Sequence, residues 1–442
     1  MPLVSVIMPS LNVADYIGEC IESVLNQTLK DIEIICVDAG STDGTREIIN
    51  KYMMIDKRIK LFTSDIKSYG YQVNLGFDIA SGEYVAIVET DDYIDNNMYE
   101  QLYLYAKKND LDYIRANYDN IININGNLII ETQEIFNDKA DYYKIINADI
   151  NPEVFLKDNS IWSGIYKNSF LKKNNIILNE TLGAAFQDIG FKLLTLFYAQ
   201  RIMYIPYSGY RYRVEREGCS TCNDNVLRYA WQEFDRIINL ADLINTRKFK
   251  YIIRRMINVF ICEYNKLILK SVTDNDNKSE YYSSYILPYY SWFKEKINMY
   301  IEENVICIED IDINLSANLT KLLNDEKCYK NTLVCNKKSL DEYWNSILKS
   351  ISDDPIVIVS YGIRGKETYK QFLERKRNVV AICDNNDRIC QHNKLSVPIL
   401  SMDVCVKKHK KVKYIISSKK YAVELTEQLK ILGISQENII TI

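Results

Sequence analysis

Within the first ninety residues, short apolar runs of strand length alternate with longer segments of helical periodicity. Leu3-Val4-Ser5-Val6-Ile7-Met8 is the first run, closed by Pro9 and Ser10. Ala14 to Leu25 follows, with Ile17, Cys20, Ile21, Val24 and Leu25 on one helical face. Ile32 to Val37, Ile59 to Phe62 and Tyr84 to Val88 read as further strands, and Thr42 to Tyr52 and Tyr71 to Ala80 as the helices between them. This spacing predicts βαβ units and a parallel sheet. Right-handed crossovers then bring the C-terminal strand ends to one edge, where open α/β sheets hold ligands.

That edge is polar in this chain. The first strand runs out at Asn12, the second at Asp38, and the fourth breaks into Glu89-Thr90-Asp91-Asp92. Clustered carboxylate oxygens suit a hard divalent cation, and Mg²⁺ or Mn²⁺ takes one or two protein carboxylates beside substrate phosphates. Taken alone, the acidic stretch equally fits a loop capping a helix from Asp95 or Asn96. The convergence of three polar strand ends favours the metal reading.

Bulk properties narrow the function. At 442 residues the chain exceeds one ordinary core, so two or three domains are expected. No stretch is long and apolar enough to span a bilayer, and the N-terminus lacks the pattern of a secretory signal. With 55 basic and 59 acidic residues, nucleic acid is not the expected partner. Eleven cysteines without an export signal read as reduced thiols in the cytoplasm, and the lone pair Cys219-Ser220-Thr221-Cys222 lacks the second pair a zinc site needs. Only two histidines occur, His392 and His409, so chemistry in the first half falls to carboxylates, lysines or tyrosines and a Ser-His-Asp mechanism is excluded there.

Ordered motifs carry a family resemblance. Pro9-Ser10-Leu11-Asn12, Ser23-Val24-Leu25-Asn26-Gln27-Thr28, Val37-Asp38-Ala39-Gly40-Ser41-Thr42-Asp43-Gly44-Thr45, Asn74-Leu75-Gly76, Ser81-Gly82-Glu83-Tyr84 and Glu89-Thr90-Asp91-Asp92 occur in sequence. Together they resemble the inverting family 2 glycosyltransferases of GT-A fold. The resemblance covers roughly the first half of the chain. It implies an Asp-x-Asp motif holding Mn²⁺ or Mg²⁺ against a nucleotide-sugar diphosphate, with Asp91 as the direct ligand and Glu89, one methylene longer, reaching a water-bridged metal or a ribose hydroxyl. It also implies a donor site drawn from Pro9, Ser10, Leu11, Asn12, Asp38, Lys67, Gln72, Asn74, Glu89, Thr90, Asp91 and Arg213. Asp38 would meet the base or ribose. Ala39 stands where many relatives have a second Asp, Leu11 where Tyr is frequent, Val73 where Arg is common, and Glu89 in place of the motif's first Asp.

Farther on, Asp112 to Ala116 resumes the sheet and Ile121 to Glu131 reads as a hairpin turned at Asn125-Gly126. Trp162 is read either as a sugar-stacking platform in the acceptor half or as core. Gly183-Ala184-Ala185-Phe186-Gln187-Asp188 resembles the family's Glu-Asp motif at a helix start, with Gln187 in place of Glu. Inverting transfer needs one base for the acceptor hydroxyl; Asp188 is expected to be that base and Gln187 to orient the acceptor. Tyr207, Tyr210, Arg211, Tyr212, Arg213 and Arg216 alternate aromatic and basic character; by resemblance Arg213 steadies the leaving diphosphate.

The βαβ rhythm then stops. Val226 to Leu243 and Thr246 to Lys270 read as helices, the second bearing Arg247, Lys248, Lys250, Arg254 and Arg255 beside an apolar stripe. Such a stripe packs on a neighbour or lies on an anionic membrane surface. Lys278 to Tyr300 has no legible pattern, Ser339 to Ile351 reads as a helix, and Ser352-Asp353-Asp354-Pro355 as a linker. Beyond it, Ile356 to Ser360, Val379 to Asp384 and Tyr414 to Ser418 are strands of a Rossmann-like unit similar to that of sugar acyltransferases. Ser360 occupies its first glycine position, before Gly362 and Gly365. Asp384 is placed to meet a ribose, unless the unit is structural or mediates a homo-oligomer.

The expected organisation is thus an α/β chain with a GT-A domain over 1–224, split into a nucleotide-binding half (1–118) and an acceptor half (119–224). A helical region (225–352) and a Rossmann-like domain (353–442) follow. The expected activity is transfer of a sugar from a nucleoside diphosphate, UDP by expectation, to a hydroxyl of a growing surface glycan, free or lipid-linked. The expected setting is the cytoplasm or the inner face of the membrane. A nucleotidyltransferase and a silent nucleotide- or glycan-binding scaffold are the alternatives; the first lacks its Gly-rich basic loop here.

Overall fold

Four buried runs form the strands β1 (Val4–Ser10), β2 (Ile32–Asp38), β3 (Ile59–Thr63) and β4 (Tyr84–Ile87). The computed structural model describes residues 1–157, 160–214, 223–240, 242–243, 246–273, 278–351, 353–386 and 395–442. β1 and β2 are buried along their whole length, the condition of a strand covered on both faces of a parallel sheet. Helices α1 (Ala14–Leu25), α2 (Thr45–Ile55) and α3 (Tyr69–Ile79) connect them.

Local hydrogen bonds explain where the helices depart from their expected bounds. α2 begins at Thr45 because Asp43 Oδ1 accepts from Thr45 N at 3.0 Å and Thr45 Oγ1 at 2.6 Å, fixing the preceding turn. α3 begins two residues early because Ser68 Oγ accepts from Tyr71 N at 3.2 Å, an N-cap.

The sheet continues through β5 (Tyr93–Ile94), β6 (Tyr113–Ile124), β7 (Asn127–Gln133), β8 (Gly164–Lys167) and β9 (Ile202–Val214). Strand order is β3-β2-β1-β4-β8-β6-β9-β5, with β7 pairing β6. β1 to β4 are parallel, whereas β8 runs antiparallel to both β4 and β6. The strand order reverses between β1 and β4, and a switch point of this kind opens a crevice at the strand ends. Asn125 and Gly126 have φ of 52° and 82°, as a two-residue hairpin turn with both central residues left-handed requires. Helices α4 (Met98–Asn109), α5 (Asn168–Lys173) and α6 (Gln187–Tyr198) complete this part.

Six helices follow: α7 (Val226–Ile238), α8 (Phe249–Thr273), α9 (Lys278–Tyr285), α10 (Leu287–Glu302), α11 (Ile313–Asn324) and α12 (Glu326–Ile351). The apolar stripe of α8, from Phe249 through Ile253 and Ile257 to Ile261, is buried, and α8 packs on α7, α9 and α11. Lys248 is buried too, 2.8 Å from Asp149. No helix of the described residues is long and apolar enough to cross a membrane.

By contact the chain forms two compact units: 1–119 with 132–334, and 120–131 with 335–442. The division falls within α12, upstream of the linker expected at Ser352 to Pro355. In the second unit β10 (Ile356–Val359), β11 (Val379–Cys383), β12 (Ile399–Leu400), β13 (Lys413–Ile416) and β14 (Ile439–Thr441) form an all-parallel sheet ordered β12-β11-β10-β13-β14. Helix α13 (Ile363–Glu374) follows β10. Ser360, at the position of the missing glycine, is held at φ 76°. A cavity of about 360 Å³ lies at the strand ends, lined in part by Ser360, Asp384, Asn385 and Glu424. The Asp384 carboxylate bonds main chain there, accepting from Tyr361 N at 2.7 Å and Asn386 N at 2.8 Å.

Candidate active site

The ends of β1 and β2 are laced together. Asn12, in the left-handed conformation at φ 53°, donates its N–H to Ser41 Oγ and accepts from Thr42 N through Oδ1, both at 2.9 Å. Asp38 is fully buried; its carboxylate accepts from Gly40 N and Ser41 N at 3.0 Å and from Ser41 Oγ at 2.5 Å, with Arg46 Nε 3.7 Å away. The acid expected at the nucleotide base therefore builds the loop itself, while Leu11 is exposed at its tip.

Two expected donor contacts prove to be clamps on the main chain. Gln72 Nε2 donates to Ser10 O at 2.9 Å and Val37 O at 2.7 Å, joining the ends of β1 and β2. Asn74 grips the segment leading to α6, giving Nδ2 to Leu178 O at 3.0 Å and Glu180 Oε1 at 2.9 Å and accepting from Leu178 N at 2.9 Å. Both amides are largely buried. Lys67 is exposed, and its carbonyl accepts from Gly183 N at 2.9 Å.

The carboxylate loop after β4 divides by burial. Thr90 Oγ1 donates to Pro9 O at 2.7 Å, pinning the loop to β1. Asp92 is fully buried, accepting from Tyr210 Oη at 2.9 Å and Arg213 N at 2.8 Å; burial, with the charge of Asp91 added, pushes its carboxyl well above the usual range. Asp91 and Glu89 stay part-exposed. Glu89 Oε1 accepts from Tyr69 Oη at 2.5 Å, and Glu89 N donates to Tyr210 Oη at 3.1 Å. Arg213 donates to the carbonyl of Asp91 and lies 2.5 Å from Glu19, beneath the rings of Tyr16 and Tyr93.

Asp188 comes to this loop through backbone pairing. Tyr69 N donates to Gly183 O and Gly183 N to Lys67 O, each at 2.9 Å, so residues 67–69 and 183 run as a short parallel bridge. Phe186, at φ 67°, then turns the chain into α6, and Asp188 falls in its first turn, where the helix dipole favours a carboxylate. After burial, the charges of Glu89 and Asp188 together push the Tyr69 phenol up. The Tyr212 phenol, also raised first by burial, feels Asp92, Asp91, Glu89 and Asp188. Tyr69 thus bonds Glu89 directly and feels the charge of Asp188, residues about a hundred positions apart.

The expected acceptor residues fare differently. Gln187 is 1% exposed and gives Nε2 to Thr181 O at 2.7 Å, Thr181 Oγ1 at 3.0 Å and Gly183 O at 3.3 Å. It staples the loop before α6 and is too enclosed to orient an acceptor. Trp162 is 8% exposed, its ring stacked on Tyr210 at 4.1 Å and Tyr212 at 5.1 Å, with Tyr118 edge-on at 4.7 Å. It backs the tyrosines of the site as core. Arg211 bonds Asp95 at 2.8 Å and Asp119 at 3.1 Å. Arg216, Cys219, Cys222 and His392 lie outside the described residues. Tyr69 was missed at the sequence level; the Ser68 cap, placing Tyr69 at a helix start on the site edge, was the available signal.

Among the described residues no group of three or more His, Cys, Asp or Glu side chains converges as a metal cage. The donor set of this loop is instead two part-exposed carboxylates, Asp91 and Glu89, with Asp92 consumed by its own bonds. That set fits a hard cation taking its remaining ligands from a diphosphate and water.

Comparison with known proteins agrees with this geometry. Residues 5–161 match the family described as Glycosyl transferase family 2. They form a family 2 glycosyltransferase domain. Glycosyltransferase GlyG of Streptococcus pneumoniae is 37% identical over 155 residues, 32% of this chain and 52% of that protein. The poly(ribitol-phosphate) beta-glucosyltransferase of Bacillus spizizenii is 25% identical over 387 residues, 84% of this chain and 58% of that protein. The chain thus spans little more than half the length of either relative. The crystal structure of S. aureus TarS 1-349 in complex with UDP-GlcNAc matches with a TM-score of 0.56 at 18% identity, over 77% of this chain and 92% of that one. The likeness places the family 2 domain in the GT-A fold.

Proposed function

We propose that the protein is an inverting glycosyltransferase moving a sugar from a nucleoside-diphosphate donor to a hydroxyl of a glycan. The observation that carries this is the bridge of residues 67–69 to Gly183, which sets the start of α6 and Asp188 in its first turn beside Tyr69, whose hydroxyl bonds Glu89 of the carboxylate loop. Asp188 takes the acceptor hydroxyl proton as the new bond forms at the anomeric carbon and the bond to the diphosphate breaks on the opposite face. Asp91, with Glu89 beside it, would hold Mn²⁺ or Mg²⁺, which when bound neutralises charge developing on the diphosphate. Arg213, beneath the same loop, fixes the Asp91 carbonyl and so the direction of that acid. A UDP-linked donor is favoured because a neighbour of the same fold is described in complex with UDP-GlcNAc. A growing surface polymer is favoured as acceptor by the name of the glucosyltransferase relative.

The test is turnover of UDP-sugars with Mn²⁺ and analysis of the products. Free UDP supports transfer, whereas pyrophosphate would identify a nucleotidyltransferase. Asp188→Asn should abolish transfer and leave donor binding nearly intact, and Asp91→Ala should remove the difference in donor affinity with and without EDTA. Transfer by the first variant, or an unchanged EDTA response in the second, refutes the corresponding role.

A further inference from the structure

Two hollows open on the first unit, and Arg247 lines both. One, of about 420 Å³, lies between the segment from Phe136 to Lys157 and Tyr251 of α8. The other, of about 530 Å³, lies between the start of α8 and the end of α10. Their walls carry the cations Lys144, Lys157, Arg247, Lys250 and Lys296 against the acids Asp141, Glu153 and Glu303. Lys144 pairs with Asp141 at 3.0 Å, and Lys250 lies 3.6 Å from Asp310. Among the described residues Lys157, Arg247 and Lys296 have no carboxylate within ion-pair distance, and Glu153 and Glu303 are exposed. Lys157 stands instead 5.6 Å from the centre of the Phe136 ring, and Lys250 and Arg254 approach the Tyr251 ring to 5.5 and 5.1 Å. Ring contacts hold cations in place without neutralising them.

The hollows have a fixed relation to the candidate base. Lys248 Nζ donates to Phe197 O at 2.7 Å and pairs with Asp149 at 2.8 Å, pinning the start of α8 to the last turn of α6. Phe197 is nine residues past Asp188 on that helix, roughly 14 Å of rise. An anionic membrane would need an apolar face to insert beside the charges, and the apolar stripe of α8 is buried. Cations along concave walls suit a chain laid through them. We propose that the two hollows grip the acceptor away from the reaction, and that this acceptor is an anionic glycan polymer with phosphate or carboxylate groups in its repeat. The distance along α6 exceeds one sugar unit, so a polymer reaches both Asp188 and the hollows and a monosaccharide does not. The inference rests on the transferase reading and narrows its acceptor class.

The experiment measures binding of the full chain, without donor, to poly(glycerol phosphate), polygalacturonate, dextran and phosphatidylglycerol vesicles at low and high salt. A charged polymer should bind and dextran should not, with affinity falling as salt screens the contact. The better of the two charged polymers tells phosphate from carboxylate. The triple variant Lys157→Gln/Arg247→Gln/Lys296→Gln should bind that polymer about tenfold more weakly, the product of two- to threefold per exposed ion pair. Its melting temperature and its affinity for UDP-sugar should stay as in the wild type, and in turnover its KM for the polymer should rise while kcat holds. Dextran bound as tightly, an unchanged polymer affinity in the triple variant, or retention by vesicles alone overturns the proposal. Monomeric glycerol phosphate bound as tightly as its polymer overturns it too. A wild type that binds the charged polymer but yields no product from any UDP-sugar would instead overturn the transferase reading, while the grip on the polymer stands.

Discussion

Tyr69 Oη donates to Glu89 Oε1 at 2.5 Å, joining the start of α3 to the carboxylate loop. One oxygen of the part-exposed Glu89 carboxylate is thus committed to the phenol. Tyr69→Phe should weaken Mn²⁺-dependent donor binding about tenfold, the scale of one hydrogen bond to a charged group. Isothermal titration with UDP-sugar would show it, and unchanged affinity would separate this pair from donor binding.

Gly70 packs against the main chain of the segment leading to α6. A Cβ there would stand 1.9 Å from Asn179 O, a rigid backbone atom. Gly70→Ala should cost about 1–3 kcal/mol, the usual scale of overpacking. Because Asp188 rides on the displaced segment, kcat should fall further than donor affinity; equal losses would deny the link.

Glu33, buried on β2, accepts from Ser5 Oγ at 2.6 Å, Ser81 Oγ at 2.7 Å, Ser81 N at 2.8 Å and Lys60 Nζ at 2.8 Å. Burial alone would raise its carboxyl, but the bonds from Lys60, Ser5 and Ser81 prevail and hold it at about 2. The folded value lies below the ordinary 4.5, so the stabilisation is present above pH 4.5 and is lost as pH falls toward 2. Glu33→Gln should cost about 1–2 kcal/mol at pH 7. Denaturant titrations at several pH values should show that gap closing through this window.

Ser360 holds φ 76° without a side-chain reason to do so. A left-handed residue other than glycine costs roughly 1–2 kcal/mol. Ser360→Gly should return about 1 kcal/mol to the second unit, net of the entropy glycine adds to the unfolded chain. A lower melting temperature for its transition would contradict the strain.

How far the sequence could be read depended on how local each signal was. β1, β2 and β4 were legible because a strand covered on both faces has nowhere to put polar residues. Asn125-Gly126 was legible because its turn demands left-handed backbone. The clamping role of Gln72 and Asn74 is not legible, because the carbonyls they bind lie on distant segments that no spacing rule reaches. The sequence leaves Trp162 open between platform and core and does not show that Gln187 is enclosed, because enclosure is a tertiary property. Lys278 to Tyr300 gave no pattern, yet α10 buries Tyr290, Phe293, Ile297 and Tyr300 along one stripe. Tyrosine, at home in core and at surface alike, hid it.

The bridge between residues 67–69 and Gly183 is made of main-chain bonds alone. Amide and carbonyl groups are common to nearly every residue, so this bridge itself asks nothing of the side chains; the clamps of Asn74 and Gln187 and the close approach at Gly70 supply the side-chain constraints. The place of the Asp188 carboxylate is therefore set twice over, by backbone pairing that any residue can make and by a few side chains that few others could replace.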